Sequence, residues 1–151
     1  MKPKCYSGYL TSALSNPQEI VEWIVEQTEY IDFDTIVFRG MSGALIAPIV
    51  AYKLKKALLM VRKDHDNDNH SERKFEGNVN LVNFIVIDDL ISCGGTMKSI
   101  FDHVYHNVVT HCLREITLVP ECKRIFLYRQ QGWRESWDYN DKVIPVSNRH
   151  I

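Results

Sequence analysis

The stretch that decides the fold is FIVIDDLISCGGTM, residues 84–97. It begins with four apolar residues, continues into two adjacent carboxylates and closes on a glycine pair and a threonine. The short apolar run predicts a buried strand of a parallel sheet. Because ligands of open α/β sheets bind outside the carboxyl ends of the strands, we expect Asp88 and Asp89 at the mouth of a binding site.

The loop that follows these acids is composed of small residues and leads into a predicted helix. Its candidate phosphate-binding residues are Ser92, Cys93, Gly94, Gly95 and Thr96. The first backbone N–H groups of a helix have no partner within it and carry partial positive charge, so such a turn binds phosphate. Glycines allow close approach of the backbone, and two hydroxyls add donors. Since the carboxylates accept hydrogen bonds from a vicinal diol, the whole stretch suits a sugar phosphate.

Short apolar runs and helical patterns alternate along the rest of the chain. Strands are predicted at residues 35–38, 58–61, 84–87 and 125–128, and helices at 17 to about 32, 44–58 and 96 to about 109. Asn16, Pro17 and Glu19 predict a capped start for the first helix. This alternation predicts an α/β fold with a central, mainly parallel twisted sheet flanked by helices.

Length and composition bound the protein class. With 151 residues, 45% of them hydrophobic and 25% charged, the chain suits one globular domain and neither a disordered nor a collagenous class. Its net charge of -1 argues against nucleic acid and anionic membranes as partners. No apolar run approaches the roughly 18 residues of a spanning helix. The four cysteines form no CxxC pair, and the N-terminus lacks the apolar segment of a secretion signal. Both features predict a cytoplasmic protein with reduced thiols.

Residues 84–97 resemble the 5-phosphoribosyl-1-pyrophosphate (PRPP) signature of the type I phosphoribosyltransferases. In that signature an apolar strand is followed by two acids, two apolar residues and a loop of small residues containing GGT. The resemblance extends to FRGMSG at residues 38–43 and VRK at residues 61–63. It implies the phosphoribosyltransferase fold as a single domain over residues 1–151, with a core at about 17–130. A small hood is then expected from the N-terminal segment and residues of about 131–151.

The resemblance also implies which residues bind PRPP. Arg39, Gly40, Met41 and Ser42 would form the pyrophosphate loop, and Lys63 would reach the same group. The Arg39 guanidinium offers a bidentate donor to phosphate oxygens. A non-proline cis peptide is further implied between Phe38 and Arg39, a conformation that costs about 3 kcal/mol.

The charged stretch at residues 63–77 occupies the place of the family's flexible loop, which closes over the reaction centre. His70, Arg73 and Lys74 would then stabilise charge on the departing pyrophosphate, and together with Asp88 and Asp89 they are the candidate catalytic residues. Closure excludes water from a reactive ribose carbon. Which of the three acts stays open, and a solvated loop without catalytic side chains is the alternative.

Magnesium is the implied cofactor. Mg²⁺ prefers phosphates and retained water, so we expect it to enter with PRPP and to be held by Asp88 and Asp89 through water. A calcium loop over residues 64–75 is rejected, because its sixth position is Asn69 where glycine is required and its twelfth is Phe75 where glutamate is required.

The implied reaction transfers the 5-phosphoribosyl group to a ring nitrogen of a nucleobase and releases pyrophosphate. Ser92 and Gly95 argue against a hypoxanthine-guanine enzyme and leave adenine and orotate open. Candidate base-binding residues are Trp137, Asp138 and Tyr139. The alternative function is a PRPP- or nucleotide-binding regulator without turnover, which would contact RNA through residues 123–134. Family members are commonly homodimers, so a dimer is expected.

Overall fold

The computed structural model of the protein describes residues 11–63, 74–89, 95–108, 119–129 and 142–145. The helices are α1 (Thr11–Ser15), α2 (Pro17–Gln27), α3 (Gly40–Ala44), α4 (Ala47–Leu54) and α5 (Gly95–Asp102), the last continued by a π-helical segment, His103–Val108. The strands are β1 (Thr35–Phe38), β2 (Ala57–Val61), β3 (Phe75–Gly77), β4 (Asn83–Asp88), β5 (Glu121–Leu127) and β6 (Val143–Pro145).

All six strands form one sheet in the order β3-β2-β1-β4-β5-β6. Every neighbouring pair is parallel except β2 and β3, which are antiparallel. The central strand β1 pairs with β2 through Phe38 opposite Met60 and with β4 through Val37 opposite Val86. The predicted α/β class with a mainly parallel sheet is confirmed.

Alternate residues along the central strands enter two separate cores, one on each face of the sheet. Ile36, Ile85 and Phe126 pack with α2 and α4, whereas their neighbours Val37 and Val86 pack with α5. Because side chains of a strand point alternately to opposite faces, a strand covered on both faces is apolar throughout. The molecule therefore has three layers, helix, sheet and helix.

The two central crossovers leave the sheet on opposite sides. After β1 the chain passes through α3 and α4 on the first face, and after β4 it enters α5 on the second. β1 and β4 are adjacent, and the segments that follow them turn to opposite faces, so the gap between their carboxyl ends is a topological switch point. Open α/β sheets form their ligand crevice at such a point.

Several predicted boundaries differ from the observed ones. The helix predicted to reach about residue 32 ends at Gln27, where the Thr28 hydroxyl donates to the Val25 carbonyl at 2.8 Å. Asn16 precedes that helix but its side chain makes no capping hydrogen bond. The helix predicted at residues 44–58 is shorter and corresponds to α4, whose first turn contains Pro48, whereas residues 57 and 58 already belong to β2. The helix α3, which precedes it, was not predicted.

Two edge strands were not predicted from the sequence. β3 lies at the end of the predicted loop at residues 63–77, and β6 lies within the range predicted to form the hood. Within the part of the chain that is described, no helix has the length and apolar character needed to cross a bilayer.

Candidate active site

The two acids of the opening stretch lie at the carboxyl end of β4, as predicted. Asp88 is the last residue of the strand and is 4% exposed, and Asp89 follows it at 8%. The Ser42 hydroxyl donates to Asp88 Oδ1 at 2.7 Å, and the backbone N–H of Asp89 donates to the same oxygen at 2.9 Å. The Asp88 carboxyl group also hydrogen-bonds with the side chain of Asp89, so the two acids form one buried polar pair.

Burial controls the ionisation of this carboxyl group. Removal from water raises the pKa of Asp88 from 3.8 to about 7, and the neighbouring charge of Asp89 raises it as well. The hydrogen bond from Ser42 acts in the opposite direction, because it stabilises the carboxylate. Asp88 therefore changes charge near neutral pH.

The predicted pyrophosphate residues converge beside this pair. Gly40 has φ = 71°, a left-handed conformation that glycine adopts without strain. A Cβ atom at Gly40 would lie 2.8 Å from Cε of Lys63, so the lysine side chain lies directly against this turn. Strands β1 and β2 thus bring the FRGMSG and VRK segments together at the carboxyl ends of the strands.

Close packing of α3 against the sheet explains how Ser42 reaches Asp88. A Cβ atom at Gly43 would lie 2.6 Å from Cβ of Phe38 and 3.2 Å from the carbonyl oxygen of Ile87. Only a residue without a side chain allows α3 to approach both strands this closely. Ser42, the preceding residue, then lies within hydrogen-bonding distance of the end of β4.

Arg39 contributes a buried donor at the start of the same segment. Its Nε is shielded from solvent and has no hydrogen-bond partner among the residues described. An unpaired buried N–H group carries a cost of about 1–3 kcal/mol, so its position is informative. The guanidinium is suited to bind an anionic ligand at this turn, as a hydrogen-bond donor.

The peptide bond between Phe38 and Arg39 is trans, and the expectation of a cis bond there is wrong. Arg39 has an extended backbone with φ = -143° and ψ = 134°, and the chain changes direction at Gly40 instead. Because glycine tolerates the left-handed conformation, the turn into α3 forms without a cis peptide bond.

Tyr128 is a site residue that sequence reasoning missed. It follows β5 directly, is fully buried, and its hydroxyl donates to the carbonyl oxygen of Ser42 at 2.6 Å. Its backbone N–H donates to the carbonyl oxygen of Asp88 at 3.2 Å, and the backbone N–H of Arg129 donates to the carbonyl oxygen of Asp89 at 2.9 Å. The residue was assigned to a strand, where an aromatic side chain indicates core packing, so no pattern in the sequence reveals the hydroxyl's role.

The other predicted residues divide into three groups. Gly95 and Thr96 begin α5 and are exposed, and Met41 is 62% exposed in α3. Lys74 is exposed beside β2, where its carbonyl accepts from the Arg62 backbone at 2.7 Å. Outside the described residues lie the remaining candidates, His70, Arg73, Ser92, Cys93, Gly94, Trp137, Asp138 and Tyr139.

The described residues contain no group of three or more His, Cys, Asp or Glu side chains placed to hold a metal ion. Among the described residues, the candidates for binding a cation at the carboxyl ends of the strands are therefore the two acids at the end of β4. Two acids suit an ion that keeps most of its water or phosphate ligands.

Two curated proteins match the chain in sequence. An adenine phosphoribosyltransferase of Mycoplasma capricolum is 30% identical, and the match covers 56% of this chain and 58% of the relative. An orotate phosphoribosyltransferase of Staphylothermus marinus is 27% identical, with 78% of this chain and 53% of the relative covered. The chain is therefore similar in sequence to adenine and orotate phosphoribosyltransferases.

Structure comparison gives the same phosphoribosyltransferase fold. The crystal structure of adenine phosphoribosyltransferase from Thermoanaerobacter pseudethanolicus superposes with a TM-score of 0.60 at 18% identity, covering 90% of this chain and 84% of that one. No family profile matches the chain. The chain spans little more than half the length of the two curated relatives it matches.

Proposed function

We propose that this protein transfers the 5-phosphoribosyl group from PRPP to a nitrogenous base, giving a nucleoside monophosphate and pyrophosphate. The observation that carries the proposal is the convergence of three strand ends. Lys63 lies against Gly40, and Ser42 donates to the buried Asp88. Cations at one side of the switch point and carboxylates at the other suit a ligand that is a polyphosphate at one end and a diol in the middle.

The pyrophosphate of PRPP would lie at the turn between β1 and α3. Arg39 offers its buried, unpartnered Nε, and Lys63 brings an ammonium group to the same turn. A guanidinium binds two phosphate oxygens at once, whereas an ammonium acts as a compact charge. Both would neutralise the charge that develops on the leaving pyrophosphate.

The ribose hydroxyls would lie at Asp88 and Asp89. Oδ1 of Asp88 is already engaged by Ser42 and the Asp89 backbone, so a ribose hydroxyl would be accepted by the remaining carboxyl oxygens of the Asp88 and Asp89 pair. The 5′-phosphate would lie at residues 92–96, which lead to the start of α5, where unpaired backbone N–H groups favour an anion.

Magnesium is part of the proposal, and the residues present fit it in a restricted way. The described residues form no cage of three ligands, and burial raises the pKa of Asp88 to about 7. Asp88 and Asp89 would therefore hold the ion through water, and PRPP oxygens would supply most of its ligands. Mg²⁺ held there would neutralise pyrophosphate charge and help to orient the substrate.

Catalysis would rest mainly on positioning and on charge neutralisation at the leaving group. The ribose carbon becomes cation-like as pyrophosphate departs, and water must be excluded from it. We assign that exclusion to the loop containing His70, Arg73 and Lys74, with these side chains as candidate partners of the pyrophosphate. Trp137, Asp138 and Tyr139 are the candidates for contacts with the base.

The acceptor is either adenine or orotate, since both kinds of enzyme are among the curated proteins that match the chain. Purified protein is to be assayed for pyrophosphate release with PRPP, Mg²⁺ and, in turn, adenine, orotate, guanine, xanthine and uracil. Turnover with one base is expected. The control is Asp88→Asn with Asp89→Asn, which is expected to abolish turnover and PRPP affinity.

Each alternative has its own outcome in this assay. Binding of PRPP without turnover of any base would instead support a regulatory protein of the same fold, and RNA binding that weakens steeply with salt would support the RNA-contacting form. No affinity for PRPP in the wild-type protein would refute the proposal. A homodimer in the cytoplasm stays a prediction, which size-exclusion chromatography with light scattering tests for the oligomeric state.

A further inference from the structure

A chain of hydrogen bonds joins three segments that are far apart in sequence. Tyr128 at the end of β5 donates its hydroxyl to the carbonyl oxygen of Ser42 in α3 at 2.6 Å. Ser42 in turn donates its own hydroxyl to Oδ1 of Asp88 at the end of β4 at 2.7 Å. The tyrosine thus contacts the acid indirectly, through both polar groups of one serine.

We infer that Tyr128 is a positioning residue of the proposed phosphoribosyltransferase site, where its hydroxyl holds the Ser42 backbone so that the Ser42 hydroxyl is directed at Asp88. This inference rests on the proposed function for its consequence in catalysis. The hydrogen-bond chain itself is a property of the free protein.

The Ser42 segment needs an anchor outside its own helix. α3 has five residues, GMSGA, two of which are glycines. Helices of this length are unstable by themselves, and each glycine costs roughly 1 kcal/mol relative to alanine. Contacts with the rest of the protein must therefore fix the orientation of Ser42.

Tyr128 is built to provide that contact. Its side chain is fully buried within the core on the α2 and α4 face of the sheet. A buried phenol hydroxyl must find a hydrogen-bond acceptor, because leaving it unpaired is costly. Its partner here is a backbone carbonyl of the weakest helix at the site, so loss of this bond would loosen Ser42 without opening the core.

Loosening Ser42 changes the positioning of Asp88. Oδ1 of Asp88 accepts from the Ser42 hydroxyl at 2.7 Å and from the Asp89 backbone N–H at 2.9 Å, and these two donors orient the carboxyl group at the end of β4. When the bond from Ser42 weakens, the carboxyl group is held less firmly in the orientation that a sugar diol would meet. Affinity for a diol at this acid would fall accordingly.

The experiment compares Tyr128→Phe with a matched control, Thr28→Val. The control removes a hydroxyl-to-carbonyl bond of 2.8 Å from buried Thr28 at the end of α2. For each protein, amide hydrogen exchange is measured at Leu45, whose N–H donates to the Met41 carbonyl in α3 at 3.0 Å. We expect Tyr128→Phe to speed exchange at Leu45 and Thr28→Val to leave it unchanged.

PRPP affinity at pH 7, measured by calorimetry in the presence of Mg²⁺, gives the functional readout. Tyr128→Phe is expected to weaken it about fivefold, the equivalent of one hydrogen bond. In a Ser42→Ala background the same tyrosine change is expected to have no further effect, because the tyrosine acts through the serine hydroxyl. Equal effects in both backgrounds would overturn the inference.

The outcomes separate the two proposals. If the wild-type protein fails to bind PRPP, the proposed function falls, and hydrogen exchange at Leu45 still decides the role of Tyr128. If PRPP binds but Tyr128→Phe leaves exchange at Leu45 unchanged, the positioning role falls and the function stands. Should Tyr128→Phe not fold, the wild-type protein is tested for a slowly exchanging Tyr128 hydroxyl proton close to Ser42, and its absence overturns the inference.

Discussion

Replacing Asp88 by asparagine is expected to stabilise the free protein at alkaline pH while it weakens PRPP binding. Burial raises the pKa of Asp88 from 3.8 to about 7, so the folded state holds a proton that the unfolded chain has already lost. The stability that this proton gives is fully present below about pH 4 and is lost as the pH rises to about 7. Above that pH the protein carries a buried charge.

The pKa difference sets the size of the effect. At 1.36 kcal/mol for each pKa unit, the shift from 3.8 to about 7 corresponds to about 4 kcal/mol of lost stability above neutral pH. Asparagine keeps an acceptor for the Ser42 hydroxyl and carries no charge, but its amide adds donors in a buried place. That addition costs about 1–2 kcal/mol, which leaves a net gain of about 2–3 kcal/mol at pH 8.5.

Urea unfolding of the two proteins at pH 4.5, 6, 7 and 8.5 measures this difference. The free energy of unfolding of Asp88→Asn relative to wild type is expected to rise by up to about 1.4 kcal/mol per pH unit and to level off above pH 7. Titrating groups that do not interact with Asp88 are common to both proteins and cancel, whereas the repulsion between Asp88 and Asp89 is present in the wild type only. PRPP affinity should fall about 100-fold, since charged hydrogen bonds to the diol are lost.

Asp34→Asn is the matched control, at the opposite end of the sheet. Asp34 precedes β1 and accepts backbone hydrogen bonds from Val82 at 2.9 Å and Asn83 at 2.7 Å. Amidation weakens those acceptors, so this variant is expected to lose about 2 kcal/mol at pH 8.5 and to keep its PRPP affinity. A stability difference for Asp88→Asn that does not depend on pH would refute the reasoning.

Three further changes test other parts of the structure. Lys63→Met is expected to weaken pyrophosphate binding about tenfold at low salt and less at high salt, as calorimetry at two salt concentrations will show; equal affinity would contradict its placement at the turn. Gly43→Ala places a Cβ 2.6 Å from Phe38 Cβ, and a loss of about 1–3 kcal/mol in urea unfolding is expected, whereas unchanged stability would contradict the close packing of α3. Lys55 follows α4 in a left-handed conformation with φ = 56°, which glycine adopts without strain. Lys55→Gly is therefore expected to stabilise the fold by about 1 kcal/mol, which raises the melting temperature by a few degrees, without change in PRPP affinity.

The sequence predicts the central strands well because burial on both faces gives each of them a continuous apolar run. β1 and β4 are apolar throughout apart from Thr35, Asn83 and Asp88, and their predicted ranges agree with the observed ones to within one residue at each end. The acidic pair could be placed for the same reason, since it follows such a run directly. The point at which a continuous apolar run stops in the sequence marks the carboxyl end of the strand.

The missed features depend on contacts between distant segments. β3 and β6 have three residues each at the edges of the sheet, and they are strands only because β2 and β5 offer open edges. The bond from Tyr128 to Ser42 spans 86 residues and involves a backbone carbonyl, which no side-chain pattern can reveal. The cis peptide was inferred from the family resemblance, and Gly40 removes the need for it.

The position of Asp88 relates stability to binding in a single group. Its burial costs the free protein stability above neutral pH, and among the described residues the donors that oppose this cost are Ser42 and the Asp89 backbone. Ligand hydroxyls, or a cation held through water, would favour the same carboxylate and recover part of the lost stability when they bind. A more exposed acid would be less costly to the fold but would gain less from a diol, because hydrogen bonds to a charge are stronger where water is excluded. The buried position of this acid is therefore better explained by ligand binding than by stability.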